Sequence, residues 1–338
     1  MKTQILPATP ENIAIGSQLL REGGLVAFAT ETVYGLGANA LNVQAVEGIF
    51  KAKGRPAEDP LIVHLASLNE LDGLVSEMDD LAFSLAERFW PGPLTLVLPK
   101  TKNVPELVTS GLASVAVRMP NHSVAAELIR QCGCPVAAPS ANLFGHTSPT
   151  TAEHVAADLE GRIPLILDGG PTQVGLESTV AQIENGKVRI LRSGGISREE
   201  IEKVAGEVSL LTHDREFIEG LPSPGLLAKH YSPYAELIYI RGEGSREEIL
   251  RIATSEADTK KVGILVSGNF PESTGTENLL IARLGDEGDL AAVARNIYAG
   301  LRWLDQQGVK RIYCHDFPET GIGAAIRDRL RRAATRII

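Results

Sequence analysis

The sequence predicts an α/β protein of two domains: a mixed, twisted sheet with helices, then a smaller parallel sheet. Three observations predict it. Strand-like and helix-like segments alternate from Thr9 onward. Asn185-Gly186 joins two β-rich runs as a hairpin, which makes the first sheet mixed. Composition then changes over residues 210–235, with alternation resuming beyond. At 338 residues the chain is long for one core, and its 43% hydrophobic and 22% charged content is that of an ordinary globular protein.

Taken in order, Thr9 before Pro10 predicts the N-cap and first position of a helix that stops near Gly23 and Gly24. GLVAFAT follows as a short buried strand and runs into the turn ETVYGLG. Residues 43–53 return to a helical period. LIVHL (61–65), LTLVLP and SVAVRMP read as strands, and a helix over about 122–131 precedes VAAPSAN. Thr150 with Glu153, and Ser197 with Glu200, have the spacing of capping boxes. After the hairpin STVAQIENGKVRILR the first domain is expected to end near residue 206. EGLPSPGLLAKHYSPYAEL, with three prolines and two glycines, is too irregular for an element. Beyond it ELIYI, KVGILVS, NLLIARL and KRIYCHD alternate with helices near 245–256, 287–306 and 320–333, which implies a parallel sheet with right-handed crossovers.

Composition also excludes some functions. A net charge of −9 argues against broad nucleic-acid binding, which rests on clustered Lys and Arg. Three cysteines make no disulfide framework, and Cys132-x-Cys134 lacks zinc spacing. The N-terminus carries no signal-like apolar stretch and no run reaches membrane length, so a cytoplasmic location is expected.

The chemistry-bearing residues lie at strand and helix ends. In KAKGRPAEDPL, Lys51 and Lys53 leave a helix end in different directions, and Gly54 and Pro56 hold Arg55 on a constrained loop. These cations either complement the helix dipole or meet an anion. PSANLFGHTSPT adds Ser140, Asn142, Thr147 and Ser148. Cations from one loop and hydroxyl and amide donors from another suit a polyphosphate. No Walker sequence and no full dinucleotide fingerprint exists in the chain. His64, inside LIVHL, is either a satisfied core side chain or a carboxylate ligand. ATETVYGLG offers Thr30, Glu31 and Thr32 beside Gly35 and Gly37, as a close ligand approach or an ordinary strand exit. Arg118, taken with Ser114, suits a carboxylate or phosphate oxygen, or a structural ion pair. Ser178 opens a strand and Arg192 leaves one; alone, both are routine surface polarity. With no Ser/His/Asp order and no metal-ligand spacing, the inventory points to positioning and charge stabilisation rather than covalent catalysis.

ETVYGLG, KAKGRPAEDPLIVHL, SVAVRMP, APSAN followed by SPT, ESTV, LRSGG and the HYSP linker, in this order, resemble the Sua5 branch of the Sua5/YciO/YrdC family. These are the L-threonylcarbamoyladenylate synthases, and the resemblance spans essentially the whole chain. It implies a YrdC-like catalytic domain over residues 1–206, a linker or active-site lid over 207–235, and a Rossmann-like C-terminal domain over 236–338. It further implies that L-threonine, bicarbonate and ATP become threonylcarbamoyl-AMP and pyrophosphate, the first step toward N6-threonylcarbamoyladenosine in tRNA. By motif, Thr32, His64, Arg118, Ala138 and Ser178 would contact threonine. Arg55, Asp59, Ser114, Ser140, Asn142, Ser148, Arg192 and Tyr231 would contact ATP, with Lys53, Arg55 and Arg192 stabilising the reacting charge. Mg2+ is expected to come with ATP, and no metal ligand is expected from protein side chains. A threonylcarbamoyl transferase complex is the expected transient downstream partner; neither membrane nor direct tRNA binding is expected. The chain departs from the family at Asp59, where Asn is usual, and at Leu143-Phe144-Gly145, where Ser-Gly is usual. The linker also lacks the usual Met and basic run before HYSP. Two rival classes are a YrdC-type double-stranded RNA-binding module, which salt-dependent RNA binding would reveal, and carbamoyl transfer in hydrogenase maturation. The latter comes with acylphosphatase and zinc-finger regions that this sequence lacks.

Overall fold

Short-range signals fix where the helices begin and end. In the computed structural model of the chain, residues 2–211, 230–271 and 277–338 are described; most of the expected lid, residues 212–229, lies outside them. The described residues form two units, one of 2–144, 149–173 and 177–211, the other of 145–148, 174–176, 230–271 and 277–338.

The first unit opens with β1 (Gln4–Pro7) and α1 (Pro10–Arg21), whose N-cap Thr9 accepts the Asn12 N–H at 3.4 Å. β2 (Val26–Phe28), β3 (Gly35–Asn39) and α2 (Val43–Lys53) follow. α2 ends at Gly54, φ 64°, and the Arg55 N–H turns back to the Phe50 carbonyl at 3.0 Å. That left-handed step swings Arg55 off the helix axis onto a loop. Next come β4 (Ile62–His64), α3 (Asp80–Phe89), β5 (Leu94–Pro99), α4 (Glu106–Thr109), β6 (Ser114–Arg118), α5 (Ser123–Cys132) and β7 (Val136–Ala137). The unit closes with α6 (Ala152–Leu159), β8 (Leu165–Asp168), β9 (Thr179–Glu184), β10 (Lys187–Arg192), α7 (Arg198–Ala205) and β11 (Val208–Leu210).

The hairpin between β9 and β10 turns at Asn185 (φ 53°) and Gly186 (φ 71°), the two positive φ values that a type I′ turn requires. Ser197 and Glu200 form the expected capping box on α7. The other expected box does not form: Thr151, not Thr150, caps α6. Thr150 is held back because its carbonyl accepts the Thr172 N–H at 3.0 Å and its hydroxyl meets His154 Nδ1 at 3.2 Å. β11 pairs with β10 in parallel and carries the first sheet past the expected end near residue 206.

Among the described residues the first sheet has eleven strands, ordered β1-β8-β2-β3-β7-β4-β6-β5-β9-β10-β11, with parallel and antiparallel pairs mixed. Alternation along the strands gives its faces different work. Val63, Leu96, Val115, Val117, Ala137 and Ala181 join the large core with α2, α3, α6 and α7. On the other face, α1 and α5 pack on Val26, Phe28, Leu165, Leu167 and Val136. Farther along that face only a small cluster remains, Ile62, Val97, Ala116, Val180 and Leu191. The same strand parity places Ser114, Arg118, His64, Thr95 and Ser178 there. This is the floor of the site.

The second unit contains β12 (Glu236–Tyr239), α8 (Ser245–Ala257), β13 (Val262–Val266), β14 (Leu279–Arg283), α9 (Leu290–Gln306), β15 (Arg311–Cys314), α10 (Ile322–Ala333) and β16 (Arg336–Ile337). Its five strands, ordered β14-β13-β15-β12-β16, pair only in parallel, as the alternating pattern predicts. Ile249 and Ala253 of α8 pack on Ile238, Val262 and Ile264, while Leu304 of α9 lies against Gly263 on the opposite face.

Candidate active site

Two loops expected to converge do so. Lys53, 2% exposed at the end of α2, donates its ammonium to the carbonyls of Ser140 and Asn142, the latter at 2.6 Å. The Phe144 N–H returns to the Lys53 carbonyl at 3.0 Å, and the Arg55 guanidinium lies 5.9 Å from the centre of the Phe144 ring. Lys51 stays exposed, so the two lysines part as their spacing requires. Arg55 is buried; it donates to the carbonyls of Asp59 (3.1 Å) and Pro60 (2.8 Å) and pairs with the Asp59 carboxylate at 2.9 Å. The same PSAN loop is tied to the ETVYG turn, with Leu36 N–H on Pro139 and Ala141 N–H on Tyr34, both at 2.8 Å. In the β4–β6 register Ile62 faces Ala116, which sets Ser114 level with Pro60, at this end of the floor.

Arg118 occupies the other end of β6. Four residues at strand rise separate it from Ser114 by about 13 Å, so the expectation that these two act side by side is corrected. The Arg118 guanidinium donates to Thr32 Oγ1 (2.9 Å) and the Gly92 carbonyl (3.2 Å), and pairs with the buried Glu31 carboxylate at 2.6 Å. His64 sits opposite Arg118 across the strand pair. Burial, reinforced by the Arg118 charge, pushes its pKa down to about 3, so the ring is neutral; Nδ1 lies 3.3 Å from the Ile62 carbonyl. Ala138, buried, donates its N–H to the Ile62 carbonyl at 2.9 Å. Beside this cluster, Ser178 Oγ meets Thr95 Oγ1 at 2.8 Å, and Arg192 donates to the Ser178 carbonyl (3.0 Å) and hydroxyl (3.3 Å). A register shift in β10 between Ile190 and Arg192 accompanies that approach.

Ser148 and Tyr231 belong to the second unit. Ser148 is fully buried. Tyr231 is buried with φ 63°, a rare conformation for a bulky side chain, and its ring lies 4.9 Å from the Arg329 guanidinium and edge-on to His230 at 4.1 Å. Sequence reasoning left Glu31 and Thr95 without a role. Glu31 could have been singled out as a carboxylate between two hydroxyls at a strand exit; Thr95, inside the apolar run LTLVLP, gave no such signal. Among the described residues no group of three or more His, Cys, Asp or Glu side chains could hold a metal ion, and no helix is long and apolar enough to cross a membrane.

A family model described as Telomere recombination, carrying the Sua5, YciO and YrdC names, matches residues 18–194. A second, described as the C-terminal domain of threonylcarbamoyl-AMP synthase, matches residues 196–335. The threonylcarbamoyl-AMP synthase of Pyrococcus abyssi is 46% identical over 330 residues, covering 95% of this chain and 94% of that protein. The chain belongs to the Sua5 family of threonylcarbamoyl-AMP synthases. The Bacillus subtilis synthase is 45% identical over 334 residues, covering 98% of this chain and 95% of that protein. The crystal structure of P. abyssi Sua5 complexed with L-threonine superposes with a TM-score of 0.92 at 44% identity, covering 99% of both chains. Membership in the Sua5 family thus extends through both sheets, and the parallel C-terminal sheet is part of the family architecture.

Proposed function

We propose that the chain is a threonylcarbamoyl-AMP synthase, joining L-threonine, bicarbonate and ATP into threonylcarbamoyl-AMP and pyrophosphate. One observation carries this beyond family membership. One face of the sheet carries Ser114 at one end of β6, level with Pro60 whose carbonyl Arg55 holds, and the Arg118–Glu31–Thr32–His64 cluster at the other, so contacts suited to a phosphate and to an amino acid lie on a single floor. In this mechanism the threonine nitrogen is carboxylated, and the carbamate oxygen attacks the α-phosphorus in line with the leaving pyrophosphate. A carbamate is already anionic, so the second step needs no strong base. Threonine lies against Thr32, His64, Arg118, Ala138 and Ser178. Neutral His64 adds no second cation beside Arg118.

Arg55, held by Asp59, and Arg192 oppose the charge that builds on the phosphates; Lys53 fixes the loop that carries Ser140 and Asn142, which with Ser114 complete the nucleotide contacts of the first unit. Mg2+ accompanying ATP would neutralise part of the phosphate charge. The product is a mixed anhydride that water destroys, so excluding water and prompt hand-over to a threonylcarbamoyl transferase in the cytoplasm have chemical value. Mass detection of the adenylate, with ATP, threonine and bicarbonate omitted in turn, tests the reaction: each omission is expected to abolish the product. Arg55→Ala is expected to lower threonine-dependent pyrophosphate release at least about a hundredfold, the effect of losing one preorganised charge contact. Native rates in that variant would remove Arg55 from the mechanism.

A further inference from the structure

Glu31 stands out among the buried charges of the first unit. It lies on the segment between β2 and β3 and is 3% exposed. Its Oε1 is 2.6 Å from Arg118 Nη2, yet among the described residues neither carboxylate oxygen receives an aligned hydrogen bond. Buried carboxylates normally gather several donors. Arg118, by contrast, is anchored elsewhere, through Thr32 Oγ1 and the Gly92 carbonyl, and Thr32 is braced by Thr30 Oγ1 at 2.8 Å. The cation is therefore fixed by its surroundings while the anion has room for donors. The histidines nearby do not supply them as cations, because burial lowers the pKa of both His64 and His122. A pair kept only to neutralise Arg118 would be expected to close into a bidentate fork, and this one has not.

We propose that Glu31 is the acceptor for the ammonium group of the amino-acid substrate and the base that relieves it of its proton. The assignment rests on the reading that threonine occupies the Arg118 cluster. A free α-amino acid carries one anion and one cation on neighbouring atoms, and Arg118 with Glu31 offers the complementary pair: guanidinium for the carboxylate, carboxylate for the ammonium. The open oxygens of Glu31 can take two of the three ammonium N–H groups. Carboxylation then balances as follows. The ammonium gives one proton to Glu31, which passes it to the hydroxyl of bicarbonate as that C–O bond breaks and water leaves. The freed nitrogen lone pair forms the N–C bond to the carbon of CO2, and the second nitrogen proton moves to Glu31 and on to solvent. Zwitterionic threonine and bicarbonate become carbamate, water and one proton.

Calorimetry on the full chain without ATP separates this role from a structural one, using L-threonine and 3-hydroxybutyrate, which is threonine without its amino group. The native chain is expected to prefer threonine at least about a hundredfold, the worth of charge-assisted hydrogen bonds in a buried site. Glu31→Gln is expected to lose most of that preference, weakening threonine while leaving 3-hydroxybutyrate within about threefold, and Glu31→Asp to recover part of it. Equal affinity of the native chain for the two ligands would overturn the proposal whatever the variants do. Equal weakening of both ligands by Glu31→Gln would overturn it too, by making Glu31 a support for the fold. If the native chain binds no threonine, the functional reading falls and this assignment with it; binding that ignores Glu31 sinks the assignment alone.

Discussion

In the proposed reaction, Asp59 would limit the charge that Arg55 offers a nucleotide. The two side chains are buried, 2.9 Å apart, and the guanidinium also donates to the Asp59 and Pro60 carbonyls, which an amide at position 59 would leave in place. Asp59→Asn keeps the shape and removes a negative charge that would sit close to a triphosphate. The variant is expected to lower the KM for ATP about fivefold with little change in kcat, the size of one moderate charge interaction, read from initial rates of pyrophosphate release. A raised KM would mean that the carboxylate's grip on Arg55 outweighs its repulsion of phosphate. Residue types at this scale were legible in the sequence, because Lys53, Arg55, Ser140 and Asn142 sit where helix and strand patterns break. Their partners were not. Arg118 stood open between ligand binding and an ion pair until folding brought Glu31 to it, and Lys53 spends its charge on two carbonyls that no sequence pattern announces.

The strand and turn that carry Ser178 depend on two glycines in different ways. A Cβ on Gly194 would lie 2.3 Å from the Ser178 carbonyl carbon and 2.4 Å from the Glu177 oxygen and the Thr179 nitrogen. All three are backbone atoms, so no rotamer change relieves them, and the chain leaving β10 can approach the start of β9 only without a side chain. Gly194→Ala is expected to displace Ser178 and, if Ser178 contacts threonine as proposed, to cost at least about a hundredfold in turnover, since small misplacements of substrate contacts are that costly. Gly186, at the hairpin tip, has open space around it but φ 71°, so Gly186→Ala should cost only about 1 kcal/mol in a denaturant titration and spare turnover. The hairpin itself was readable from Asn185-Gly186, and α7 from Ser197 and Glu200. The start of α6 was misplaced by one residue because Thr172, distant in sequence, competes for Thr150.

Over the whole molecule, the second sheet followed from alternation alone, whereas the order of the first did not. Pairings such as β1 with β8 and β5 with β9 join segments far apart in the chain, and strand patterns do not encode neighbours. The two sheets nevertheless share a liability to acid. His64 in the first unit is held neutral with a pKa near about 3, chiefly by burial. His315, just past β15 in the second, is pushed down to about 4 by burial, its Nε2 accepting the Ser267 N–H at 3.1 Å. In each case the unfolded chain binds a proton that the folded chain refuses. The stability each ring contributes is therefore present above pH 6.5 and is lost as pH falls from there toward the folded values. At pH 5 the loss is about 2 kcal/mol per histidine relative to pH 7. The chain's two tryptophans divide between the units, Trp90 in the first and Trp303 in the second. Single-tryptophan variants followed in urea at pH 7 and pH 5 thus report each unit in turn. Both midpoints are expected to fall with pH, His64→Gln flattening the dependence seen by Trp90 and His315→Gln that seen by Trp303. If His64→Gln left the Trp90 dependence unaltered, carboxylates rather than the buried ring would govern acid unfolding of the first sheet.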